Sequence, residues 1–277
     1  MQVKLTTLCE NTAAGPGFVA EWGLSILVQT PDEDILFDTG AGFTAVRNAD
    51  KLGINLGIID KIVLSHAHYD HTGGLREVLR RTGKLDIIAH PSIWVPKYNK
   101  DPSEEIPEYT GIPFAREELE GLASFGLSKE PAHISRTLMT TGEIPTVTDF
   151  ENIDPKFYVK ERDELRADTF PDDLALIAKT SRGLVVVLGC AHRGIINTIR
   201  HARKVAGEDR VYAVIGGTHL YSKTDEQIGK TIEALKEIGV QKIGISHCTG
   251  FNAAIHIAKA YEDQFFFNNA GTVTIVD

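Results

Sequence analysis

Between Ser65 and Gly74 the chain reads Ser-His-Ala-His-Tyr-Asp-His-Thr-Gly-Gly, which places His66, His68, Asp70 and His71 within six residues. The apolar run Ile62-Val63-Leu64 before it has the composition of a buried strand, and helix-compatible sequence follows from Leu75. Three imidazoles on one turn repel each other if protonated, and with a carboxylate they are poorly solvated if buried. A bound cation removes both difficulties, because neutral imidazole and carboxylate are good ligands for zinc, iron or manganese. The string reads as a metal centre. The Gly73-Gly74 pair is expected to permit a tight turn into the following helix.

Two distant histidines have the same setting. His192, in Leu188-Gly189-Cys190-Ala191-His192, and His247, in Ile245-Ser246-His247-Cys248, each follow a strand-like run and precede a helix-like one. Ligand sites of α/β sheets gather where strands end and helices begin, so both join the candidate ligands. His219 follows the apolar run Val211 to Ile215 and is expected to face the same site, with direct ligation left open. Cys190 and Cys248 sit beside these histidines; a thiolate there is a candidate ligand, but the favoured reading is a small apolar residue at a strand end. With Cys9 they make three distant cysteines, which argues against a disulfide framework. His90 faces the cleft or caps a strand end, His133 lies in the proline-rich stretch with contact to a substrate as its less favoured reading, and His201 and His256 read as structural. Asp172 and Asp173 either orient ligands or form a strand-entry turn, and Asn197 is expected behind the ligands.

The elements that must position these residues fall into two similar stretches. Strands are predicted at Val3 to Leu8, Leu24 to Gln29, Asp34 to Asp38, Lys61 to Ser65 and Asp86 to Ala89, with helices at Phe43 to Leu52 and Gly74 to Arg81. Later strands are predicted at Leu174 to Thr180, Leu184 to Leu188, Val211 to Ile215, Lys242 to Ser246, Gln264 to Phe267 and Thr272 to Val276. The helices between them are Gly194 to Val205, Asp225 to Ile238 and Asn252 to Tyr261. Nine of the eleven prolines lie between Pro91 and Pro171. Proline removes a backbone donor, so this stretch is expected to lack regular sheet and to hold one short amphipathic helix, Arg116 to Ser124, burying Leu119 and Leu122. It reads as a cap insertion, 92–171, within a single domain spanning 1–277.

Composition sets the outer limits. At 277 residues, 42% hydrophobic and 24% charged, the chain can bury a sizeable core. Its formal charge of −9 and lack of a basic stretch argue against nucleic acid as a partner. No apolar run approaches the roughly 20 residues needed to span a bilayer, so no membrane partner is expected. The opening Met1-Gln2-Val3-Lys4-Leu5 lacks the apolar stretch of a secretory leader, so a cytoplasmic location is expected.

The His-x-His-x-Asp-His string resembles the metallo-β-lactamase superfamily. Leu36-Phe37-Asp38-Thr39-Gly40 resembles its second-strand signature, whose aspartate orients the metal loop. The resemblance implies an α/β four-layer αβ/βα sandwich, with an irregular cap insertion here. It implies metal one on His66, His68 and His192, and metal two on Asp70, His71 and His247, with His219 as a possible addition. Two divalent cations are implied, zinc first, with manganese or iron as alternatives. One departure stands out: the family's bridging aspartate has no counterpart in Ile215-Gly216-Gly217-Thr218-His219-Leu220, and Asp209 and Asp225 are off register. A second cation there is expected to be held without a bridging carboxylate.

A narrower resemblance rests on Glu21-Trp22-Gly23-Leu24-Ser25, Gly142-Glu143-Ile144-Pro145, Pro171-Asp172-Asp173-Leu174-Ala175-Leu176, Gly189-Cys190-Ala191-His192-Arg193-Gly194 and Ser246-His247-Cys248-Thr249-Gly250. These motifs resemble a branch that includes the 7,8-dihydropterin-6-methyl-4-(β-D-ribofuranosyl)aminobenzene-5′-phosphate synthase group. The expected function is a metal-dependent hydrolase acting on an ester or phosphoester by metal-activated water, with Asp70 and His219 as catalytic residues. The substrate is expected to be a phosphate-bearing small molecule, with helix N-termini after His192 and His247 assisting the phosphate. The alternatives are a transferase condensing a dihydropterin pyrophosphate with a ribofuranosylaminobenzene phosphate, and a non-catalytic binding member. The oligomeric state is left open.

Overall fold

The apolar runs form strands that are almost wholly buried, because each sheet is covered on both faces. A computed structural model describes residues 2–101, 103 and 105–277. The first large sheet runs, in spatial order, Val273–Val276, Val3–Cys9, Ser25–Gln29, Asp34–Phe37, Lys61–Val63, Leu85–Ala89 and Ala123–Leu127. It is antiparallel as far as Asp34–Phe37 and parallel beyond. The second runs Phe265–Phe267, Lys242–Ser246, Val211–Gly217, Gly183–Leu188, Ala175–Thr180 and Leu138–Thr140, with its first four strands parallel.

Three apolar clusters mark the interfaces between four layers. One joins Ile26, Phe37 and Val63 of the first sheet to Leu176, Val187 and Ile215 of the second. Another packs the helices Thr44–Leu52 and Leu75–Thr82 on the outer face of the first sheet through Ala49, Val78, Leu36 and Ile62. The third packs Ile195–Ala206, Asp225–Ile238 and Phe251–Tyr261 on the second through Ile199, Leu235, Ile257 and Val186. Each fully buried aliphatic side chain contributes roughly 1.5–3 kcal/mol. This is the four-layer αβ/βα sandwich expected. Helix limits follow local chemistry: Thr224 accepts the Gln227 N–H, acidic Asp225 and Glu226 fill the first turn, and left-handed Gly239 ends the helix. No helix among the described residues is long and apolar enough to cross a membrane.

The proline-rich stretch departs from expectation. It contains a four-stranded sheet ordered Glu164–Ala167, Phe157–Glu161, Lys97–Asn99 and Glu108–Tyr109. Pro96, Pro107 and Pro155 stand one or two residues before its strands, where a missing donor costs the ladder nothing. The helix expected over Arg116 to Ser124 is instead a 3₁₀ turn, Arg116–Leu119, followed by the strand Ala123–Leu127. Gly121, at φ 80°, stops the turn, and the following residues pair with Leu85–Ala89 at the sheet edge. Leu119 is buried but Leu122 is exposed. The span 92–171 thus supplies an edge strand to both large sheets as well as its own small one.

Candidate metal centre

The strand Lys61–Val63 delivers His66 and His68 to the end of the first sheet, and His68 opens the one-turn helix Tyr69–Thr72 carrying Asp70 and His71. His192 and His247 arrive from the ends of Gly183–Leu188 and Lys242–Ser246. All six are buried. They form two groups of converging donors: His66, His68 and His192, and Asp70, His71 and His247. His66 Nε2 stands 3.1 Å from His68 Nδ1, His71 Nε2 3.3 Å from His247 Nε2, and Asp70 Oδ2 3.1 Å from His247 Nε2. Nitrogens about 2.0–2.1 Å from one tetrahedral cation lie roughly 3.3–3.4 Å apart, so these spacings suit a shared ion.

The ligand lone pairs are aimed by partners behind them. Asp38 is wholly buried; its Oδ1 accepts the Ser65 N–H at 2.7 Å, and its Oδ2 lies 2.7 Å from both Ser65 Oγ and His71 Nδ1. Ser65 Oγ in turn lies 2.9 Å from His66 Nδ1. One carboxylate thereby directs the Nδ1 of a histidine in each group away from the centre, so that both Nε2 atoms face it. At His247 the same service comes from Asn11, whose Oδ1 accepts from Nδ1 at 2.9 Å, and Glu10, whose Oε1 accepts the backbone N–H at 2.6 Å.

The donor set fits a divalent cation. His192 and His219 have no hydrogen-bond partner on either ring nitrogen, and His68 Nε2 has none, although all three side chains are buried. Such atoms ordinarily find partners. Burial, followed by neighbouring cationic groups, holds His66 and His192 well below the usual histidine range, in the neutral form that coordinates metal. Burial also pushes His71 down, but Asp38 and Asp70 outweigh it and hold it up at about 9. Asp70, despite burial, is held below the carboxylate range by His71 and His247. A proton at His71 neutralises charge where a cation would otherwise do so.

His219 is brought to the site, but beside His192, with ring centroids 4.2 Å apart, and it groups with Cys190 and His192 rather than with Asp70, His71 and His247. For Cys190 the sequence leaves two readings, a small apolar strand end and a thiolate ligand. Its Sγ lies 3.1 Å from His71 Nε2, and it lines the cavity above the histidines with Cys248. His90 bonds Glu143 and the Ser92 N–H, His201 the Thr141 carbonyl, half-buried His256 lies beside Asp225, and His133 is exposed; none lines that cavity. Asp172 accepts the Ala67 N–H in the metal loop at 2.9 Å, and Asp173 the Arg193 N–H at 2.8 Å. Asn197 braces Val147 and Thr148. The helix N-terminus after His192, expected to assist a phosphate, is already taken: Glu151 accepts the Ile196 and Asn197 N–H groups.

Backbone strain gathers here. Asp38, Phe170, Ala191, His219 and His247 are non-glycine residues at φ between 48° and 58°. Such conformations cost about 1–3 kcal/mol each and persist where surrounding structure imposes them. Phe170 stacks on His192 at 3.8 Å.

The glycine pair serves a purpose other than the one expected. Gly73 and Gly74 have ordinary right-handed φ values of −64° and −73°. A Cβ would stand 2.2 Å from the Ala41 carbonyl at Gly73 and 2.0 Å from the Thr39 carbonyl at Gly74. Gly74→Ala is therefore expected to lower stability by about 1–3 kcal/mol by overpacking. The helical Gly229, with nothing within 4 Å of its would-be Cβ, gains roughly 0.5–1 kcal/mol on the same change. Thermal unfolding of the two variants checks the contrast, and equal effects would refute the close-packing argument.

A cavity of about 160 Å³ opens above the donors, with Trp22, Asn99, Thr110, Lys156, Phe157 and Tyr221 among its walls. Among the described residues, buried Asn99 Oδ1 and Thr110 Oγ1 lack partners and Lys156 is the only lysine or arginine lining it. An adjoining cavity of about 290 Å³ shares Trp22, Tyr221 and His247 and adds Phe251 and Phe267.

Residues 23–196 match the family model of the metallo-beta-lactamase superfamily. The chain is 35% identical to the 7,8-dihydropterin-6-methyl-4-(beta-D-ribofuranosyl)-aminobenzene-5'-phosphate synthase of Methanocaldococcus jannaschii, over 98% of this chain and 96% of that protein. It is similar in structure to Tm1679, described as a metal-dependent hydrolase of the beta-lactamase superfamily, with a TM-score of 0.84, 29% identity and 99% of each chain covered. YhfI from Bacillus subtilis shares the fold, with a TM-score of 0.60 at 13% identity and 99% of each chain covered.

Proposed function

The chain belongs to the metallo-β-lactamase superfamily, and from that premise we propose that it is a metal-dependent hydrolase acting on an ester or phosphoester of a phosphate-bearing small molecule. The carrying observation is the pair of donor groups under a cavity whose one lining cation is Lys156. His66, His68 and His192 hold one divalent cation; Asp70, His71 and His247 hold a second. Zinc suits the imidazole-rich set, with manganese or iron as alternatives. Such cations supply Lewis acidity toward a substrate oxygen and lower the pKa of water. Lys156 holds the substrate phosphate, while Asn99 and Thr110 pair with its remaining polar groups. The Asp70 carboxylate, ionised at neutral pH, receives the proton of the attacking water and passes it on. The span 92–171 acts as a cap on this single domain: Asn99, Glu108, Thr110, Lys156 and Phe157 all come from it and exclude water from the cavity.

A second reading is favoured by the extent of identity to the 7,8-dihydropterin-6-methyl-4-(beta-D-ribofuranosyl)-aminobenzene-5'-phosphate synthase and by the second cavity. In it, a dihydropterin pyrophosphate occupies the first cavity, and a ribofuranosylaminobenzene phosphate lies against Trp22 and Phe251 and replaces water as the acceptor of the pterin group, with pyrophosphate leaving as its C–O bond breaks. Two incubations separate the readings. Metal-loaded protein is given phosphodiesters, and separately the pterin pyrophosphate with and without the aminobenzene acceptor. The hydrolase releases product without acceptor, and the transferase requires it. No turnover in either incubation, with metal content verified by elemental analysis, identifies a binding member instead.

His219 is placed to hold a substrate oxygen. His219→Ala is expected to lower kcat by about 10²-fold, the scale of losing one donor to developing charge, with little change in occupancy of the first cation. Paired metal titration and steady-state kinetics check this; unchanged turnover removes His219 from the reaction.

A further inference from the structure

We propose that the Cys190 thiolate is a metal ligand shared between the two donor groups, in the place of the absent bridging aspartate. The inference rests on the metal-dependent reading above.

The Cys190 Sγ is central to the cluster. It lies within 4.8 Å of donor atoms of His66 and His71 in one grouping, His192 and His219 in a second, and His247 and Cys248 in a third. It therefore adjoins members of both proposed metal sites. A thiolate carries several lone pairs and can bind two cations, whereas each imidazole nitrogen offers one lone pair in one direction. Sulfur is also a natural zinc ligand.

A buried cysteine is ordinarily a small hydrophobe, and Cys9 is one: it packs in the apolar cluster beneath the helices of the first sheet. Cys190 belongs to none of the three apolar clusters. Its surroundings are imidazoles. An independent observation points to an absent partner at the same spot: both ring nitrogens of His192 and both of His219, which share a grouping with Cys190, are buried without a hydrogen bond. Cys248 differs again, since its Sγ already accepts the His219 N–H at 3.3 Å. On coordination Cys190 loses its S–H proton to solvent through the cavity it lines, and a sulfur–metal bond forms.

The test is cobalt(II) titration of the metal-free protein, followed by absorption and by elemental analysis. The wild type is expected to bind two equivalents and to show a near-ultraviolet thiolate-to-cobalt charge-transfer band together with the visible cobalt bands. Cys190→Ser and Cys190→Ala should lose the near-ultraviolet band and the second equivalent but keep visible bands from the first, while Cys248→Ser keeps all of them. A wild type that binds cobalt without the sulfur band overturns the proposal and leaves the metal centre standing, with no variant needed. A band that survives in the Cys190 variants, or vanishes only in Cys248→Ser, overturns it as well. A wild type that binds no cobalt at all refutes the metal-dependent reading itself.

Discussion

Replacing His66 and His68 together by alanine is expected to abolish turnover and remove most bound metal while leaving the fold in place. Both side chains belong to one donor group with His192, so the variant leaves a single histidine there. Loss of one outer partner of a metal ligand costs roughly 10–100-fold in affinity or activity, and loss of two donors exceeds that. The fold does not depend on them. The strand before them is held by pairing with Asp34–Phe37 and Leu85–Ala89, and Ile62 and Leu64 remain in the apolar cluster. His68 Nε2 is also a buried nitrogen without a partner, whose removal relieves a desolvation cost. The sharpest readout is thermal. A ligand at 1,000 times its dissociation constant stabilises a protein by about 4.1 kcal/mol. Added zinc should raise the unfolding temperature of the wild type by more than that of the double variant, which keeps only the donor group of Asp70, His71 and His247. Full metal content in the double variant would place the first cation elsewhere.

The metal loop was legible because its chemistry is local: four donors in six residues define a site without any tertiary information. His192 and His247 were legible for a related reason, since each stands at the end of an apolar run and the ends of parallel strands converge. What could not be read was contact across long separations. Asn11 and Glu10 fix His247 from 236 and 237 residues away, in a stretch with no periodic signal. The surroundings of Cys190 were not legible, because a cysteine at a strand end looks the same whether hydrocarbon or imidazole surrounds it. In the proline-rich span the error was of another kind. Proline excludes a strand only from its own position, and strands of two to five residues fit between successive prolines. The spacing of Leu119 and Leu122 suits a helix face, but left-handed Gly121 lies between them and an open sheet edge lies beside them.

The same span carries the largest expected effect on stability. Lys97 is fully buried, and its Nζ lies 2.6 Å from Asp168 Oδ2 and 2.9 Å from Asp172 Oδ1, both buried carboxylates. Burial alone would push the lysine down, but the two carboxylates outweigh it and hold it above its usual range. Lys97→Met keeps most of the side-chain volume and removes the charge, leaving two buried carboxylates side by side. Removing one partner of a buried ion pair costs about 3–5 kcal/mol. Asp168 is already raised by burial despite the pull of Lys97, and without the lysine it rises further. An acid whose pKa is higher folded than unfolded binds more protons in the native state, so stability falls as pH rises through that range. The deficit of the variant should therefore be full near pH 8 and shrink as pH falls toward 5, and Lys97→Met/Asp168→Asn should recover part of it. A second consequence reaches the metal loop, because Asp172 Oδ2 also holds the Ala67 N–H between His66 and His68. Weaker zinc binding in folded Lys97→Met is expected alongside the lower stability. Urea unfolding at pH 5, 7 and 8, with zinc titration of the same samples, measures both; a deficit that does not change with pH would mean that the two carboxylates do not depend on Lys97 for their charge.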